Sequence, residues 1–210
     1  MMNWNLFFSG ILNETQIKVN EPMSRHNTYG IGGNADVFVT PGSKEELTEV
    51  LKRTYMEGIP VTVIGGGSNC LISDKGIRGV TICTMRMKPE IICNGTCITA
   101  YGGAGTGSVS RAAQKNSLQG FEWAVGIPGT VIGATFMNAN GYGSQMKNVV
   151  EEVYAVSIDG ETDKIYGWDD LRYGTSDSIF MHNGDVIYGV KLHLFKGNAQ
   201  DIKDKMRDHQ

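Results

Sequence analysis

Residues 63–72 read VIGGGSNCLI, an apolar run that passes directly into three glycines and then into Ser68 and Asn69. Glycine has no Cβ, so it adopts positive φ freely and lets a backbone approach a ligand closely. Consecutive free N–H groups in such a turn form a concave site for an anion, most often a phosphate. The stretch predicts a phosphate-binding loop at the end of a strand, with a ligand-free glycine turn as the alternative.

The glycine loop matches neither standard nucleotide motif. A G-x-G-x-x-G fingerprint that starts at Gly65 meets Cys70 where its third glycine should fall. Gly102 and Gly107 have the spacing of a P-loop, but no Lys follows them. The loop therefore points to a nucleotide ligand without identifying its class.

The residues around this loop have a β-α-β pattern. The predicted elements are a strand at 34–40, a helix at 43–57, and strands at 61–64 and 79–84. Ser43 and Glu46 form a capping box, and apolar residues recur behind them with helical spacing. The glycine loop follows the second strand, which is where ligands bind in open α/β sheets.

The remainder of the chain predicts antiparallel strands and one further helical region. The expected elements are a helix at 3–19, a hairpin of strands 90–93 and 96–101 joined by Asn94-Gly95, a helix from Ser108, and strands at 149–159, 164–167 and 186–195. Asn-Gly favours a type I′ turn, and the pair Cys93 and Cys97 should lie near each other across it. We predict a first domain at 1–86, a second at 87–196 and a charged tail at 197–210.

Composition narrows the class of protein. The net charge of -3 gives no basic footprint, which argues against nucleic acid as a partner. No segment approaches the roughly 20 apolar residues of a membrane helix, and the N-terminus lacks the pattern of a signal peptide. The four cysteines have no metal-ligand spacing, so we expect reduced thiols, no metal, and a cytoplasmic protein.

A second glycine-rich block runs through residues 126–143 and predicts a helix that begins near Thr130. A helix N-terminus presents free N–H groups and a positive dipole end, which favour a phosphate or a reduced flavin. Two such loops in two half-domains predict one extended ligand that lies between them.

With both loops in view, the chain resembles the UDP-N-acetylenolpyruvoylglucosamine reductases, also called UDP-N-acetylmuramate dehydrogenases, of bacterial cell-wall synthesis. The resemblance covers nearly the whole chain in the family's order. It rests on TYGIGGNAD at 28–36, GGGSNCL at 65–71, GFE at 120–122, GIPGTVIGA at 126–134, MNA at 137–139, LRYG at 171–174 and DSIF at 177–180.

The resemblance implies an α+β fold of the FAD-binding, UDP-N-acetylmuramate dehydrogenase type, with FAD between two α+β subdomains. It implies that the first loop holds the pyrophosphate and that the second lies along the pyrophosphate and the flavin. The residues it assigns to the cofactor are Gly65, Gly66, Gly67, Ser68, Asn69, Leu71, Gly126, Ile127, Pro128, Gly129, Thr130, Gly133, Ala134 and Asn138. No histidine lies in the 65–74 loop, so we expect non-covalent FAD.

The family reaction implies NADPH as electron donor and a UDP-sugar as substrate, and here the chain departs from the pattern. The family's Gly-Tyr-Arg-x-Ser motif reads GTSDS at 174–178, so Ser176 takes the position of an arginine that stabilises the enolate. Serine supplies no fixed charge and no bidentate fork. Ser178 keeps its position and is expected near the flavin ring, although its hydroxyl could instead satisfy the backbone.

The second departure is length, because family enzymes continue into a third domain that carries a catalytic serine and glutamate, whereas this sequence stops at Gln210. Three functions stay open: a reductase impaired or completed by another chain, a flavin-binding protein without that reaction, and another flavin oxidoreductase of the same fold. Glu122, Trp123 and Tyr142 could border the cofactor, but capping and core packing are their alternatives.

Overall fold

The computed structural model describes residues 2–209 and contains two main sheets. The strands are β1 (Ile17–Pro22), β2 (Asn34–Val39), β3 (Val61–Ile64), β4 (Ile77–Cys83), β5 (Glu90–Asn94), β6 (Cys97–Tyr101), β7 (Leu118–Gln119), β8 (Asn140–Gly141), β9 (Ser144–Gln145), β10 (Val150–Val156), β11 (Asp163–Gly167), β12 (Val186–His193) and β13 (Phe195–Lys196). The α-helices are α1 (Trp4–Phe7), α2 (Lys44–Met56), α3 (Thr106–Lys115), α4 (Val131–Phe136), α5 (Phe180–Asn183) and α6 (Ala199–Asp208). The mixed α+β architecture confirms the expected fold class.

The first sheet has the order β1-β2-β4-β3 and contains the predicted β-α-β unit. Strands β2 and β3 both run parallel to β4, while β1 is antiparallel to β2. The Ser43 hydroxyl caps α2 by accepting from the Glu46 N–H at 3.2 Å. Helix α2 buries its apolar face against this sheet through Leu47, Val50 and Leu51. The capping residue and the helical spacing of the apolar residues therefore predict a helix that the structure contains.

The second sheet is antiparallel, with the order β11-β10-β12-β6-β5. Helices α3 and α4 belong to the buried core on one of its faces. Val156 and Val186, from β10 and β12, are buried in the same cluster as α2 residues Leu47 and Leu51. The two sheets thus share apolar packing.

The turn between β5 and β6 lies one residue later than predicted. Asn94 pairs with Cys97, so the two turn residues are Gly95 and Thr96, and only Gly95 of the two has positive φ. Cys93 pairs with Ile98, and successive side chains on a strand point to opposite faces. Cys93 and Cys97 therefore lie on opposite faces, and the prediction that they are neighbours is wrong.

The predicted helix at 3–19 is also wrong. Helix α1 ends at Phe7, and residues 17–22 form β1, which pairs with β2. The Asn13 side chain accepts from the Thr15 N–H and closes a short turn just before that strand. Tertiary pairing with an adjacent strand outweighed the weak helical pattern of this segment.

The charged tail contains a helix that the sequence pattern did not indicate. Asn198 caps α6 by accepting from the N–H groups of Gln200 and Asp201 at 2.8 and 3.3 Å. Ile202 and Met206, one turn apart, are buried in a small cluster with Val125. Helix α6 therefore packs beside the segment that leads into the second glycine block.

Candidate functional site

Strands β3 and β4 end side by side, with Ile64 paired to Cys83, and this places the 65–72 loop at the edge of the first sheet. The Thr84 hydroxyl donates to the Ile64 carbonyl at 3.2 Å, and the Cys83 thiol lies 3.6 Å from the Gly65 carbonyl. The start of the loop is therefore fixed by side chains from the end of β4. Burial raises the pKa of the Cys83 thiol, which disfavours the reactive thiolate.

Gly67 can only be glycine. Its φ is +67°, and a Cβ there would lie 1.9 Å from the His26 carbonyl oxygen. The Thr28 N–H donates to the Gly67 carbonyl at 3.2 Å, so residues 26–28 pack directly against the loop. The His26 ring is held elsewhere: its Nε2 lies 2.8 Å from a Glu21 carboxylate oxygen, and it stacks on Phe38 at 4.0 Å.

The second glycine block meets the first loop across the junction of the two sheets. A Cβ on Gly66 would lie 3.0 Å from the Cα of Gly129, and a Cβ on Gly65 would lie 2.9 Å from the Thr130 hydroxyl. Gly129 has φ +97°, and a Cβ there would lie 3.0 Å from the Ser68 hydroxyl. The structure therefore brings together the two loops that the sequence places some 60 residues apart.

Both loops present N–H groups that the protein leaves free. Within residues 2–209, no hydrogen bond to protein is donated by the N–H groups of Gly66, Gly67, Ser68 and Asn69, or by those of Gly129 and Thr130. Free N–H groups that converge at one place form a binding site for an anion. Glycines that leave no room for a Cβ line the same junction. These features fit the pyrophosphate of a dinucleotide cofactor.

Beside the first loop is a cavity of about 250 Å³. Its lining residues are Arg25, His26, Asn27, Thr28, Gly65, Gly66, Cys83 and Met85. Arg25 is exposed and brings a positive charge to the wall of this cavity. Sequence reasoning missed Arg25, although its position three residues before the 28–36 segment could have drawn attention to it.

The other residues assigned to the cofactor differ in their surroundings. The Asn69 amide reaches the Met137 sulfur at 3.3 Å and so bridges the two halves of the junction. Leu71 is 77% exposed. The Ile127 carbonyl accepts from the Thr106 hydroxyl at 2.9 Å, and this bond anchors the second loop to α3. Gly126 and Pro128 are exposed, Gly133 is half-buried and Ala134 is buried.

Asn138 is buried, and the protein uses its whole side chain. Its amide donates to the Gly174 carbonyl at 2.8 Å and to the Gln145 side chain at 3.1 Å, and its Oδ1 accepts from the Lys147 N–H at 2.9 Å. Asn138 therefore ties the end of α4 to the 174–178 turn. Direct contact of this side chain with the cofactor stays a prediction.

The two serines of the 174–178 motif have different environments. Ser176 is exposed at φ +52°, in a tight turn closed by the Gly174 N–H donating to the Asp177 carbonyl at 3.1 Å. Ser178 is fully buried, and its hydroxyl donates to the Phe136 carbonyl at the end of α4. The structure gives Ser178 the backbone-satisfying role that was its alternative.

Arg172 is the arginine nearest in sequence to the 174–178 turn. It has φ +47° and follows a short helical turn. Its side chain lines a separate cavity of about 500 Å³ together with Lys164, Tyr166 and Asn183.

The three residues suggested as borders of the cofactor make contacts with other residues of the protein. The Glu122 carboxylate accepts from the Gly120 N–H at 2.7 Å, as its capping alternative predicts. Trp123 is buried with its ring 5.4 Å from that of Phe121 in an edge-to-face pair. Tyr142 stacks on His209 at 4.2 Å, on the side of α6.

Among residues 2–209, no helix combines the length and the apolar character that a membrane span requires.

Comparison with known proteins defines the class first. Residues 35–165 match the family described as FAD binding domain. The fold also matches 4-ethylphenol oxidase from Gulosibacter chungangensis with a TM-score of 0.67 over 92% of this chain and 42% of that one, at 17% identity, which shows the fold alone. The chain is an FAD-binding protein of α+β architecture, and FAD is its cofactor.

The particular family follows from closer relatives. The chain is 40% identical to the UDP-N-acetylenolpyruvoylglucosamine reductase of Clostridioides difficile strain 630, over 99% of this chain and 69% of the relative. The crystal structure of the same reductase from Thermus caldophilus matches with a TM-score of 0.74 and 25% identity, over 92% of this chain and 68% of that one. The chain belongs to the UDP-N-acetylenolpyruvoylglucosamine reductase family, and it spans about two thirds of the length of its curated relatives.

Proposed function

We propose that the chain binds FAD non-covalently at the junction of its two glycine loops, with the pyrophosphate against the free N–H groups of residues 66–69 and of Gly129 and Thr130. The observation that carries this proposal is the contact between the loops. With a Cβ on Gly66 only 3.0 Å from Gly129, main-chain donors from both halves can reach one ligand. Arg25 adds a cation on the side of the first loop. The family match supports the same assignment.

When bound, FAD supplies the hydride chemistry of the family, and the protein supplies binding, orientation and electrostatics. We propose NADPH as the electron donor and a UDP-sugar that carries an enolpyruvyl group as the substrate of a complete enzyme of this type. The residues of this chain are suited to the first part of that task, which is to hold the cofactor. They are poorly suited to stabilising negative charge on a substrate.

The 174–178 turn explains that limit. Ser176 is exposed and uncharged, so it cannot stabilise an enolate as a guanidinium can. The Ser178 hydroxyl is buried and donates to the Phe136 carbonyl, so its hydrogen bond serves the fold. We therefore propose that the 210-residue chain alone binds FAD but reduces the UDP-sugar poorly.

A titration with FAD tests the proposed binding site. The purified chain should be yellow, denaturation should release the flavin, and Gly66→Val should weaken FAD binding by about 100-fold or more, which corresponds to about 2.7 kcal/mol. The matched control is Gly167→Val, because a Cβ at Gly167 meets its nearest neighbour, an Asp170 oxygen, at an ordinary 3.6 Å. A folded Gly66→Val variant with unchanged affinity would show that the cofactor lies elsewhere.

The exposed Ser176 favours a second candidate, a flavoprotein that does not carry out the family reaction. Anaerobic mixing of the flavin-loaded chain with NADPH, and then with the UDP-enolpyruvyl sugar, separates the two. Fast bleaching by NADPH followed by slow re-oxidation by the sugar fits the first proposal. An absence of bleaching by NADPH, with bleaching by another donor, fits the second.

A further inference from the structure

Three side chains with different metal-binding atoms converge on the outer face of the second sheet, away from the glycine loops. They are Cys97 on β6, Glu151 on β10 and His193 on β12. Cys97 and His193 are directly paired across adjacent strands. Their chain neighbours Ile98 and Leu192 are fully buried in the core on the other face. The three side chains therefore project from the face of the sheet opposite α3 and α4.

A bulge in β10 brings Glu151 into this group. Val150 pairs with Leu192 and Glu152 pairs with Lys191, so Glu151 is an extra residue without a partner on β12. A β-bulge changes the direction of a side chain and is common beside functional sites. Here it places a Glu151 carboxylate oxygen within reach of the other two residues.

The distances between the three ligand atoms match those of a tetrahedral metal site. The Cys97 sulfur lies 3.5 Å from Glu151 Oε2 and 3.9 Å from His193 Nδ1, and His193 Nδ1 lies 3.8 Å from the same oxygen. Zinc bonds of about 2.3 Å to sulfur and about 2.0–2.1 Å to nitrogen and oxygen, at tetrahedral angles, give ligand separations of about 3.3–3.6 Å. Shifts of a few tenths of an ångström would complete the geometry.

We propose that Cys97, Glu151 and His193 bind one Zn²⁺ ion, with water in the fourth position. A thiolate and an imidazole favour zinc over magnesium or calcium, whose ligands are oxygens. His193 is exposed, so the open position faces solvent. This proposal does not depend on the proposed flavin function.

The groups around the triad support the same assignment. Lys191 lies 3.2 Å from Glu151 Oε1, which orients the carboxylate and leaves Oε2 for the metal. The Phe195 ring packs against the His193 ring at 5.7 Å. Zinc binds the deprotonated thiolate, so metal binding would release the Cys97 proton and strengthen with rising pH.

Calorimetric titration of the full chain with zinc chloride, together with Co²⁺ absorption spectra, tests the site. We expect one equivalent of metal and a thiolate-to-cobalt charge-transfer band. Cys97→Ser and His193→Gln should each weaken binding by about 100-fold or more, since disturbing even an outer-shell partner of a metal ligand costs about 10–100-fold. Cys93→Ser is the matched control: it changes an exposed cysteine on the neighbouring strand and should leave affinity within about 3-fold.

The ligands are surface side chains, so the variants should keep the melting temperature and FAD content of the parent chain. Unchanged zinc affinity in either ligand variant would overturn the proposal. An equal loss in Cys93→Ser, or metal bound without the charge-transfer band, would overturn it as well. If the parent chain bound zinc as expected but did not bind FAD, only the proposed flavin site would be contradicted.

Discussion

The junction of the two glycine loops and the 174–178 turn both carry motifs of the family resemblance, and we propose that only the first keeps its function in this chain. The junction is built from main chain: glycines at 65–67 and 129 set its shape, and the groups that we propose to bind the ligand are N–H donors. The turn would act through side chains, and the resemblance implies that Ser176 takes the position of an arginine. A main-chain site changes only when the backbone changes, whereas a side-chain site can lose its chemistry through one substitution.

The structure shows which contacts hold the 174–178 turn in place. The turn is closed by the bond from Gly174 to Asp177 and anchored by the Asn138 amide on the Gly174 carbonyl. Neither contact involves the side chain of Ser176, which is exposed. The turn can therefore keep its place beside α4 whatever side chain stands at position 176.

The largest effect is expected from restoring the arginine in a completed enzyme. We predict that Ser176→Arg raises turnover of the UDP-sugar by about 10²–10³-fold in a chimaera of residues 1–196 with the C-terminal third of the Clostridioides difficile relative, since one preorganised electrostatic contact has this magnitude. The same substitution in the 210-residue chain should leave turnover negligible and FAD affinity within about 3-fold. The rate of NADPH oxidation that depends on the sugar measures turnover in the chimaera and in the 210-residue chain.

Thr175→Arg is the matched control, because Thr175 is the neighbouring exposed residue of the same turn. An equal gain in this variant would mean that any positive charge suffices. Rapid turnover by the unmodified 210-residue chain, roughly 1–10³ per second, would contradict the view that the turn has lost its role.

A smaller effect should separate structural from catalytic use of Ser178. Ser178→Ala removes the buried hydroxyl that donates to the Phe136 carbonyl, which costs about 1–2 kcal/mol. At about 2–4 °C for each kcal/mol in a chain of this size, the melting temperature should fall by about 2–8 °C, as scanning calorimetry would show. FAD affinity should stay within about 3-fold.

Thr175→Ala is the control for that stability measurement, since its exposed side chain makes no described hydrogen bond within residues 2–209. If Ser178→Ala kept its melting temperature but lost turnover in the chimaera, Ser178 would be catalytic and its burial misleading.

The parts of the molecule that could be predicted from sequence are those that local rules determine. The Ser43 cap, the periodicity of α2 and the glycines at 65–67 each act within a few residues, and the structure has the corresponding helix and loop. Helix α6 was missed because its buried face has only Ile202 and Met206, which become significant when packed against Val125.

The hydrogen-bond partners of Asn138 and Ser178 were not predictable for a related reason. Their partners, Gly174 and Phe136, lie 36 and 42 residues away in sequence, and only the tertiary fold brings them together. The metal-binding triad likewise depends on strand pairing and on a bulge that no local pattern indicates.

The smallest effect concerns the support beneath the first glycine loop. A Glu21 carboxylate oxygen lies 2.8 Å from the His26 ring, whose own carbonyl packs against Gly67. Burial alone would raise the Glu21 pKa, but the hydrogen bond with His26 and the charge of Lys18 outweigh it, so the net pKa is lowered. A carboxyl group whose pKa is lowered by folding stabilises the protein at pH values above its unfolded-state pKa. This stabilisation is lost as the pH falls through the folded-state pKa. Glu21→Gln should therefore reduce the free energy of unfolding by about 0.5–1.5 kcal/mol at about pH 7, with the difference shrinking below about pH 4. Urea unfolding across this range measures it, with the exposed Glu90→Gln as the control.

A difference that is constant with pH would show that the ionised carboxylate contributes nothing. A loss of FAD affinity much greater than 3-fold would show that the main-chain junction depends on this side chain after all, and the contrast with the 174–178 turn would be weaker than the structure suggests.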